Sequence, residues 1–279
     1  MTGPAPDTPH LGAALAARRA DGGVVLVWCS RLDERAAFTH QADRTHYAAS
    51  LIKPAVLRAA HRNLDLGERV LVHDRFPSVV RGHYRVQRAD DNDEVPWERL
   101  GAHMTLGRLC HRMIRASSNL ATSLVVEAVG LPAVAACAPP GLVVTRPIGD
   151  RAAIEAGLTN TVTAAAAGAL LAGAAGDTAL LAPYREQEYR DGIPAALPAG
   201  VQVANKNAWV DGVEHDAALI EPADAPPYVL AVCTTGLAPE HARAAIHAVT
   251  RASWADRHSL GRHSLGPPAG QAGPPLRPR

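Results

Sequence analysis

The segments with β-strand patterns lie at the two ends of this chain, and a long helical region separates them. A predicted helix at 11–20 precedes two predicted strands, GVVLVWCS (23–30) and AAFTHQA (36–42), which the polar turn RLDE joins. Near the carboxyl end, three antiparallel strands and a closing helix are predicted at 201–212, 215–223, 228–236 and 239–255. The pattern therefore predicts an α/β (α+β) fold in which one sheet, built from both ends, carries an inserted helical block.

The inserted region is rich in alanine and is divided by short breaks. These breaks lie at Gly82, the acidic loop ADDNDEVP (89–96), Gly130 and CAPPG (137–141). We predict a catalytic domain at 11–256, with its sheet subdomain at 11–49 and 195–256 and its helical subdomain at 50–194. The last segment, 257–279, repeats HSLG and ends in GPPAGQAGPPLRPR, which predicts a disordered tail because such a composition cannot form a packed core.

The charge balance favours a small-molecule substrate as the binding partner. The 28 basic and 27 acidic residues leave a formal net charge of +1, which gives no electrostatic reason to bind nucleic acid or an anionic membrane. No apolar run of about 18 residues and no secretion-signal pattern occurs, so we expect a cytoplasmic protein. We also expect a monomer.

Neither the cysteines nor the histidines have the spacing of a ligand set. Four scattered cysteines, Cys29, Cys110, Cys137 and Cys233, lack CxxC spacing and are predicted to be buried free thiols. The 13 histidines show no HxH or HExxH pattern. Gly-rich phosphate loops do not occur either. We therefore expect no metal and no cofactor.

The stretch YAASLIK (47–53) places a serine three residues before a lysine, at the start of a hydrophobic helix. Proline is tolerated in a first helical turn, so Pro54 predicts a helix that begins at about Ser50, with Ser50 and Lys53 on one face. Apolar neighbours and the positive end of the helix dipole disfavour the ammonium form, which makes Lys53 a candidate base for the Ser50 hydroxyl. The alternative is that Ser50 is only an N-cap and Lys53 a snorkelling surface residue.

Two later stretches supply further polar side chains. In MIRASSNLATSLVVEAVG (113–130), an SSN step interrupts two apolar helical runs and places Ser117 and Asn119 on a loop. In VANKNAWVDGVEHDAALI (203–220), Lys206 stands in a strand just before a hairpin turn. Taken singly, SSN is an ordinary helix start and a strand lysine is an edge charge. The order of the three motifs is what makes them specific.

The series SxxK, SSN, KNA is similar to SxxK, SDN, KTG, the signature of the penicillin-recognising serine enzymes. The chain most closely resembles the class A β-lactamases, over roughly residues 11–256. This resemblance implies a five-stranded antiparallel sheet with flanking helices beside an all-helical subdomain, with the active site in the cleft between them. It implies that Ser50 is the acylated nucleophile, Lys53 its proton acceptor, Ser117 the proton donor to the departing nitrogen and Asn119 a ligand of the substrate amide.

The third motif departs from the family where the substrate has to lie. The resemblance implies that Lys206 holds the substrate carboxylate and tunes the proton-donating serine, and that the backbone N–H of Trp209 joins that of the nucleophile in an oxyanion hole. Asn207 replaces threonine and can still donate a hydrogen bond, whereas the methyl of Ala208, in place of glycine, is expected to intrude where close approach is needed. Ser118 replaces the aspartate of SDN, and we expect a minor effect.

A further departure concerns the water that would release an acyl-enzyme. The family has a glutamate in an ExxxN pattern after the helical block. The corresponding region, RPIGDRAAIEAGLTNTVTAAA (146–166), offers Asp150 and Glu155 in a different register, with Glu155 five residues before Asn160. Both carboxylates have structural alternatives, Asp150 as a helix cap and Glu155 on a solvent face. No deacylating base is assigned.

Three functions are compatible with these motifs. The first is a serine hydrolase that cleaves an amide, lactam or activated ester through a Ser50 acyl-enzyme, with weak or absent β-lactamase activity. The second is an acyltransferase of small-molecule biosynthesis that uses the same acyl-enzyme, which the missing glutamate favours. The third is a non-catalytic binding protein on the same scaffold, which the altered KNA triplet favours.

Overall fold

The computed structural model describes residues 8–16, 22–32 and 36–261. In chain order its strands are β1 (Val24–Arg31), β2 (Phe38–His40), β3 (His46–Tyr47), β4 (Arg69–Leu71), β5 (Arg75–Pro77), β6 (His83–Arg85), β7 (His103–Thr105), β8 (Leu142–Val143), β9 (Thr161–Val162), β10 (Gln202–Val210), β11 (Val213–Glu221) and β12 (Tyr228–Thr235). Its α-helices are α1 (Pro9–Ala16), α2 (Lys53–Asn63), α3 (Glu94–Trp97), α4 (Leu106–Arg115), α5 (Asn119–Val129), α6 (Leu131–Ala136), α7 (Arg151–Glu155), α8 (Ala164–Ala172), α9 (Thr178–Arg185) and α10 (Pro239–Ala255). Short 3₁₀ turns lie at Ala49–Ile52, Arg88–Asp90 and Pro194–Ala196.

The main sheet of the described chain has five antiparallel strands in the order β10-β11-β12-β1-β2. The amino-terminal β1 pairs with the carboxyl-terminal β12, with Val24 opposite Thr235. A two-residue turn, Asp211 and Gly212, joins β10 to β11, and Gly212 has a φ of 72°, a left-handed conformation that glycine adopts without strain. The predicted five-stranded antiparallel sheet, built from both ends of the chain, is confirmed.

Helices cover both faces of this sheet. Alternate side chains of β12 enter two apolar clusters, as the period of two along a strand requires. Ala231 and Cys233 join the cluster shared with the inserted block, where α8 packs across β1, β11 and β12. Leu230 and Val232 join the cluster formed with α1 and α10. The sheet therefore separates the terminal helices from the block that carries the first two motifs.

The inserted block contains short strands as well as helices, which the expectation of an all-helical subdomain did not include. β4 pairs with β7 and β5 pairs with β6, and β8 and β9 form a three-stranded sheet with β3, which lies just before the block. These strands are two or three residues long, too short for a period-two pattern to be recognised in a sequence. The division into subdomains at residues 50 and 195 stays a prediction.

Several predicted boundaries differ at the ends of the chain. α1 ends at Ala16, and residues 17–20 of the predicted first helix, like residues 33–34 of the RLDE turn, lie outside the described residues. The packed chain also continues beyond the predicted start of the tail at residue 257. Leu260 is buried in the cluster of α1 and α10, and Arg257 forms an ion pair with Asp224, so these side chains anchor the segment. Residues 262–279 of the predicted tail lie outside the described part.

Candidate active site

Both lysines of the sequence, Lys53 and Lys206, are fully buried and converge on one hydroxyl group. Lys53 Nζ and Lys206 Nζ each lie 3.1 Å from Ser117 Oγ. Ser117 Oγ in turn donates a hydrogen bond to Ser50 Oγ over 3.2 Å. The structure thus brings the SxxK, SSN and KNA motifs together, and Lys53 reaches Ser50 through the Ser117 hydroxyl.

Ser50 lies in the 3₁₀ turn Ala49–Ile52, which continues into α2 at Lys53. The N-cap positions of these two elements are Ala48 and Ile52, and neither start has a side-chain capping hydrogen bond. Lys53 is 0 % exposed. The alternatives of an N-capping Ser50 and a snorkelling Lys53 are therefore wrong. The Ser50 N–H lies in the first turn of this 3₁₀ segment, where backbone N–H groups lack intrahelical acceptors.

Burial determines the charge state of both lysines. Loss of hydration lowers the pKa of Lys53 well below its usual value, the neighbouring Lys206 lowers it further, and Asp91 opposes the shift. Burial also lowers the pKa of Lys206 to about 7, against the attraction of Asp216. Both shifts favour the neutral amines, which makes Lys53 a candidate base, and Lys206, with a pKa of about 7, is divided between its charged and neutral forms near neutral pH.

Two residues next to the reacting groups have unusual backbone conformations. Ser117 has a φ of 56° and Ala49, which precedes Ser50, has a φ of 43°. Residues other than glycine hold such conformations at a cost of order 1–3 kcal/mol, when surrounding contacts fix them. The contacts at Ser117 are the two lysines and Ser50. The backbone is therefore strained where the three motifs meet.

Asn119 forms hydrogen bonds through its side-chain oxygen, its side-chain nitrogen and its backbone N–H. Its Oδ1 accepts a hydrogen bond from Lys53 Nζ over 2.9 Å, and its Nδ2 donates to the backbone oxygen of Asp90 over 2.6 Å. Its backbone N–H donates to Asp91 Oδ1 over 2.9 Å, and the other oxygen of that carboxylate accepts from Ser118 Oγ over 3.2 Å. In the sequence the acidic loop indicates only a break between helices. Asp91 is thus a residue of the site that sequence reasoning missed.

The KNA triplet lies on β10, an edge strand of the main sheet. Lys206 Nζ also donates to the backbone oxygen of Asn207 over 2.7 Å and to its Oδ1 over 3.3 Å. Trp209 is 40 % exposed. Ala208 is 0 % exposed and belongs to the apolar cluster of the inserted block. That methyl packs against the core, and the expectation that it intrudes on the substrate stays a prediction.

The two carboxylates proposed for water activation occupy structural positions. Asp150 is buried and is the N-cap of α7, where its Oδ1 accepts a hydrogen bond from the Ala153 N–H over 3.1 Å. The same oxygen accepts from Ser78 Oγ over 2.9 Å. The capping interpretation of Asp150 is confirmed. Glu155 is exposed at the end of α7, as its solvent-face interpretation predicts.

A cavity of about 280 Å³ adjoins β10 on the side of α10. Asn207 and Trp209 contribute to its wall, and the Tyr189 ring meets the Trp209 ring edge to face, with 4.9 Å between centroids. Neither Ser50, Lys53 nor Ser117 lines this cavity, so it is not the site of the reacting groups.

The four cysteines lie outside the cluster of Ser50, Lys53, Ser117 and Lys206. All four cysteines are buried and free, as predicted, and burial raises the thiol pKa of Cys110 and Cys233 to about 12. Within residues 8–16, 22–32 and 36–261, no group of three or more His, Cys, Asp or Glu could hold a metal ion. No helix of the same ranges has the length and apolarity needed to cross a membrane.

Comparison with known proteins supports the fold and the family. The model of the β-lactamase enzyme family matches residues 12–256. The crystal structure of a β-lactamase from Sphaerobacter thermophilus DSM 20745 has a TM-score of 0.70 and 26 % identity, over 88 % of this chain and 97 % of that chain. An ancestral class A β-lactamase (GNCA) has a TM-score of 0.70 at 23 % identity, over 88 % and 99 % of the two chains. PBP-A has a TM-score of 0.68 at 18 % identity, over 88 % and 94 %. No curated protein sequence matches.

The fold and the family match define a serine hydrolase of the β-lactamase and penicillin-binding-protein superfamily. Because the family model covers most of the chain, this protein belongs to the β-lactamase enzyme family, whose members act on small-molecule substrates. The resemblance drawn from the three motifs is confirmed at the level of the family.

Proposed function

We propose that this serine hydrolase forms an acyl-enzyme at Ser50 with an amide, lactam or activated ester, and that it turns over bicyclic β-lactams weakly or not at all. The observation that supports the acylation step is the Ser117 hydroxyl, which lies within 3.2 Å of Ser50 Oγ and 3.1 Å of both lysine nitrogens. The cytoplasmic location and the monomeric state stay predictions.

Acylation can proceed through these groups without an external base. Ser50 Oγ attacks the carbonyl carbon, and its proton moves through Ser117 Oγ to the neutral Lys53 amine. The N–H groups of Ser50 and Trp209 receive the oxyanion. When the C–N bond breaks, Ser117 gives its proton to the leaving nitrogen and regains one from the Lys53 ammonium. The product is an ester on Ser50. An amide releases its amine, a lactam keeps the new amine attached to the acyl group because only its ring opens, and an activated ester breaks its C–O bond and releases an alcohol.

Two further side chains are placed to orient the substrate. Lys206 retains part of its positive charge near neutral pH, since its pKa is about 7, and can attract a substrate carboxylate. A carboxamide nitrogen has two hydrogens, and Asn119 Nδ2 uses one of them on the Asp90 oxygen. The second hydrogen can bind the acyl carbonyl of the substrate. This set favours a substrate with an amide on one side of the reacting carbonyl and a carboxylate on the other.

The fate of the acyl-enzyme distinguishes a hydrolase from an acyltransferase. Asp150 Oδ1 is committed to the α7 cap and to Ser78, and Glu155 is exposed. Neither carboxylate is assigned as a base for water, so we expect slow hydrolysis. A long-lived ester can react with an amine or alcohol instead. These positions favour acyl transfer to a small-molecule nucleophile as the second candidate function.

Intact-protein mass spectrometry tests the proposal directly. A reactive penicillin and an activated ester are each mixed with the protein, and the adduct is followed with and without an added primary amine. We expect one equivalent of adduct on Ser50 that accumulates and decays slowly in buffer. Faster decay with the amine, together with an acylated amine product, would identify a transferase. A protein that forms no adduct with either reagent would contradict the acyl-enzyme proposal and favour a binding protein.

The two departures in the KNA triplet are expected to have different effects. Asn207→Thr introduces a hydroxyl beside the expected carboxylate position, so acylation by a carboxylate-bearing β-lactam should rise roughly tenfold. Ala208→Gly removes a methyl that is buried in the core, so acylation should stay within about twofold and stability should fall by roughly 0.5–1 kcal/mol. Stopped-flow acylation and chemical denaturation of the single variants measure both. Faster acylation by Ala208→Gly alone would show that the methyl does obstruct the substrate.

A further inference from the structure

The carboxylate of Asp91 occupies the start of α5, beside the SSN motif. Its Oδ1 accepts the Asn119 N–H over 2.9 Å, and its Oδ2 accepts the Leu120 N–H over 2.8 Å and the Ser118 hydroxyl over 3.2 Å. Trp97 Nε1 also donates to Oδ2, over 3.0 Å. One side chain from the acidic loop therefore replaces the hydrogen-bond acceptors that the first turn of α5 lacks.

The same loop also fixes the side chain of Asn119. The Asp90 backbone oxygen accepts a hydrogen bond from Asn119 Nδ2 over 2.6 Å, which leaves Asn119 Oδ1 directed at Lys53 Nζ, 2.9 Å away. The loop is itself anchored, because the buried Asp93 carboxylate binds Arg112 Nε over 2.6 Å. A continuous path of contacts thus connects the acidic loop, Asn119 and the amine of Lys53.

We propose that Asp91 is a positioning residue for acylation at Ser50, and that it does from a separate loop what an aspartate at position 118 would do within the motif. This proposal rests on the acyl-enzyme proposed above. Asp91 contacts none of the reacting atoms and acts through Asn119 and Lys53. Its negative charge also counteracts the burial and the Lys206 charge that lower the pKa of Lys53.

The first test moves the carboxylate. Asp91→Asn should slow labelling of Ser50 by a reactive penicillin by about 10- to 100-fold, since hydrogen bonds to a charged group are lost at α5. Ser118→Asp in the Asp91→Asn background should restore the rate to within about threefold of the unchanged protein, because a carboxylate again adjoins Asn119. Glu94→Gln is the matched control, because it neutralises another carboxylate of the same acidic loop. Its exposed side chain pairs with Arg88, so that variant should label at an unchanged rate.

The second readout separates positioning from a general loss of structure. Because the sequence contains two lysines, isotope-labelled lysine gives two side-chain NMR signals that report Lys53 and Lys206. The charged groups that act on Lys53 are Lys206 and Asp91. Asp91→Asn should therefore move the Lys53 titration to lower pH, and added Ser118→Asp should move it back. An unchanged Lys53 titration in Asp91→Asn would contradict the proposed path from Asp91 to the Lys53 amine.

The outcomes are separable from those of the acyl-enzyme proposal. If the unchanged protein is not labelled at Ser50, both proposals are overturned. If it is labelled and Asp91→Asn labels equally fast, only the role of Asp91 is overturned. Should Asp91→Asn fail to fold, the double variant with Ser118→Asp is measured alone. A folded double variant that labels slowly would overturn the role of Asp91, and one that labels at nearly the unchanged rate would support it.

Discussion

Replacement of Ser50 with alanine is expected to abolish covalent labelling by a fluorophosphonate or a reactive penicillin. Ser50 is a half-buried hydroxyl at a helix start, and its Oγ is connected through Ser117 to two buried amines of lowered pKa. An isolated serine is a weak nucleophile, and the mechanism proposed above activates Ser50 through Lys53 as base and two backbone N–H groups as oxyanion donors. Intact-protein mass before and after reaction measures the effect as a loss of the single adduct.

Ser123→Ala is a suitable control for that experiment. Ser123 is another buried serine of the inserted block, in α5, where Tyr84 Oη donates to its hydroxyl over 3.4 Å. It has no contact with either lysine among its described hydrogen bonds, so labelling should be unchanged. Equal labelling of the Ser50→Ala variant and the unchanged protein would contradict an acyl-enzyme at Ser50.

Lys53→Met is expected to slow the labelling of Ser50 by about a thousandfold, since general-base catalysis contributes roughly 10²–10⁴. Methionine has a similar length but cannot accept the proton that leaves Ser50. The change should have a small effect on stability. It removes an amine whose burial costs desolvation free energy, which should stabilise the fold. It also leaves Ser117 O and Asn119 Oδ1 without their hydrogen-bond donor, which should destabilise it. These opposing effects should keep the melting temperature within about 5 °C.

The lowered pKa of Lys53 also predicts how the stability of the folded protein changes with pH. A lysine whose pKa is lowered in the folded state binds fewer protons there than in the unfolded chain, so between the two pKa values stability rises with pH. Lys53→Met should remove that rise and be relatively more stable at the lower end of the window. Arg58→Met, on the same helix α2, is the control and should label normally. Retained labelling with a large loss of stability would show that Lys53 is structural.

The order of elements and the candidate nucleophile and base, Ser50 and Lys53, could be identified from the sequence. Period-two and helical patterns extend over eight or more residues in β1, β10, β11, β12 and α10, so local side-chain spacing was sufficient to recognise them. Pro54 similarly located the helix start near Ser50. The strands of two or three residues in the inserted block carry no such pattern.

The surroundings of Ala208 depend on tertiary packing as well as on the strand period. Residues two apart on a strand share a face, so Ala208 shares its face of β10 with Lys206, whose amine contacts Ser117. The structure adds that the Ala208 methyl belongs to the apolar cluster of the inserted block. Its effect on a bound substrate stays a prediction.

The sequence by itself determined the family, the sheet built from both ends and the serine and lysines that can carry chemistry, because these depend on residue identity and short-range spacing. Only the tertiary structure decided that Ser117 lies between both lysines, that Lys53 reaches Ser50 through it and that Asp91 supports the site. Those contacts join elements far apart in the chain. Their geometry follows from how the block packs on the sheet, which no local pattern encodes.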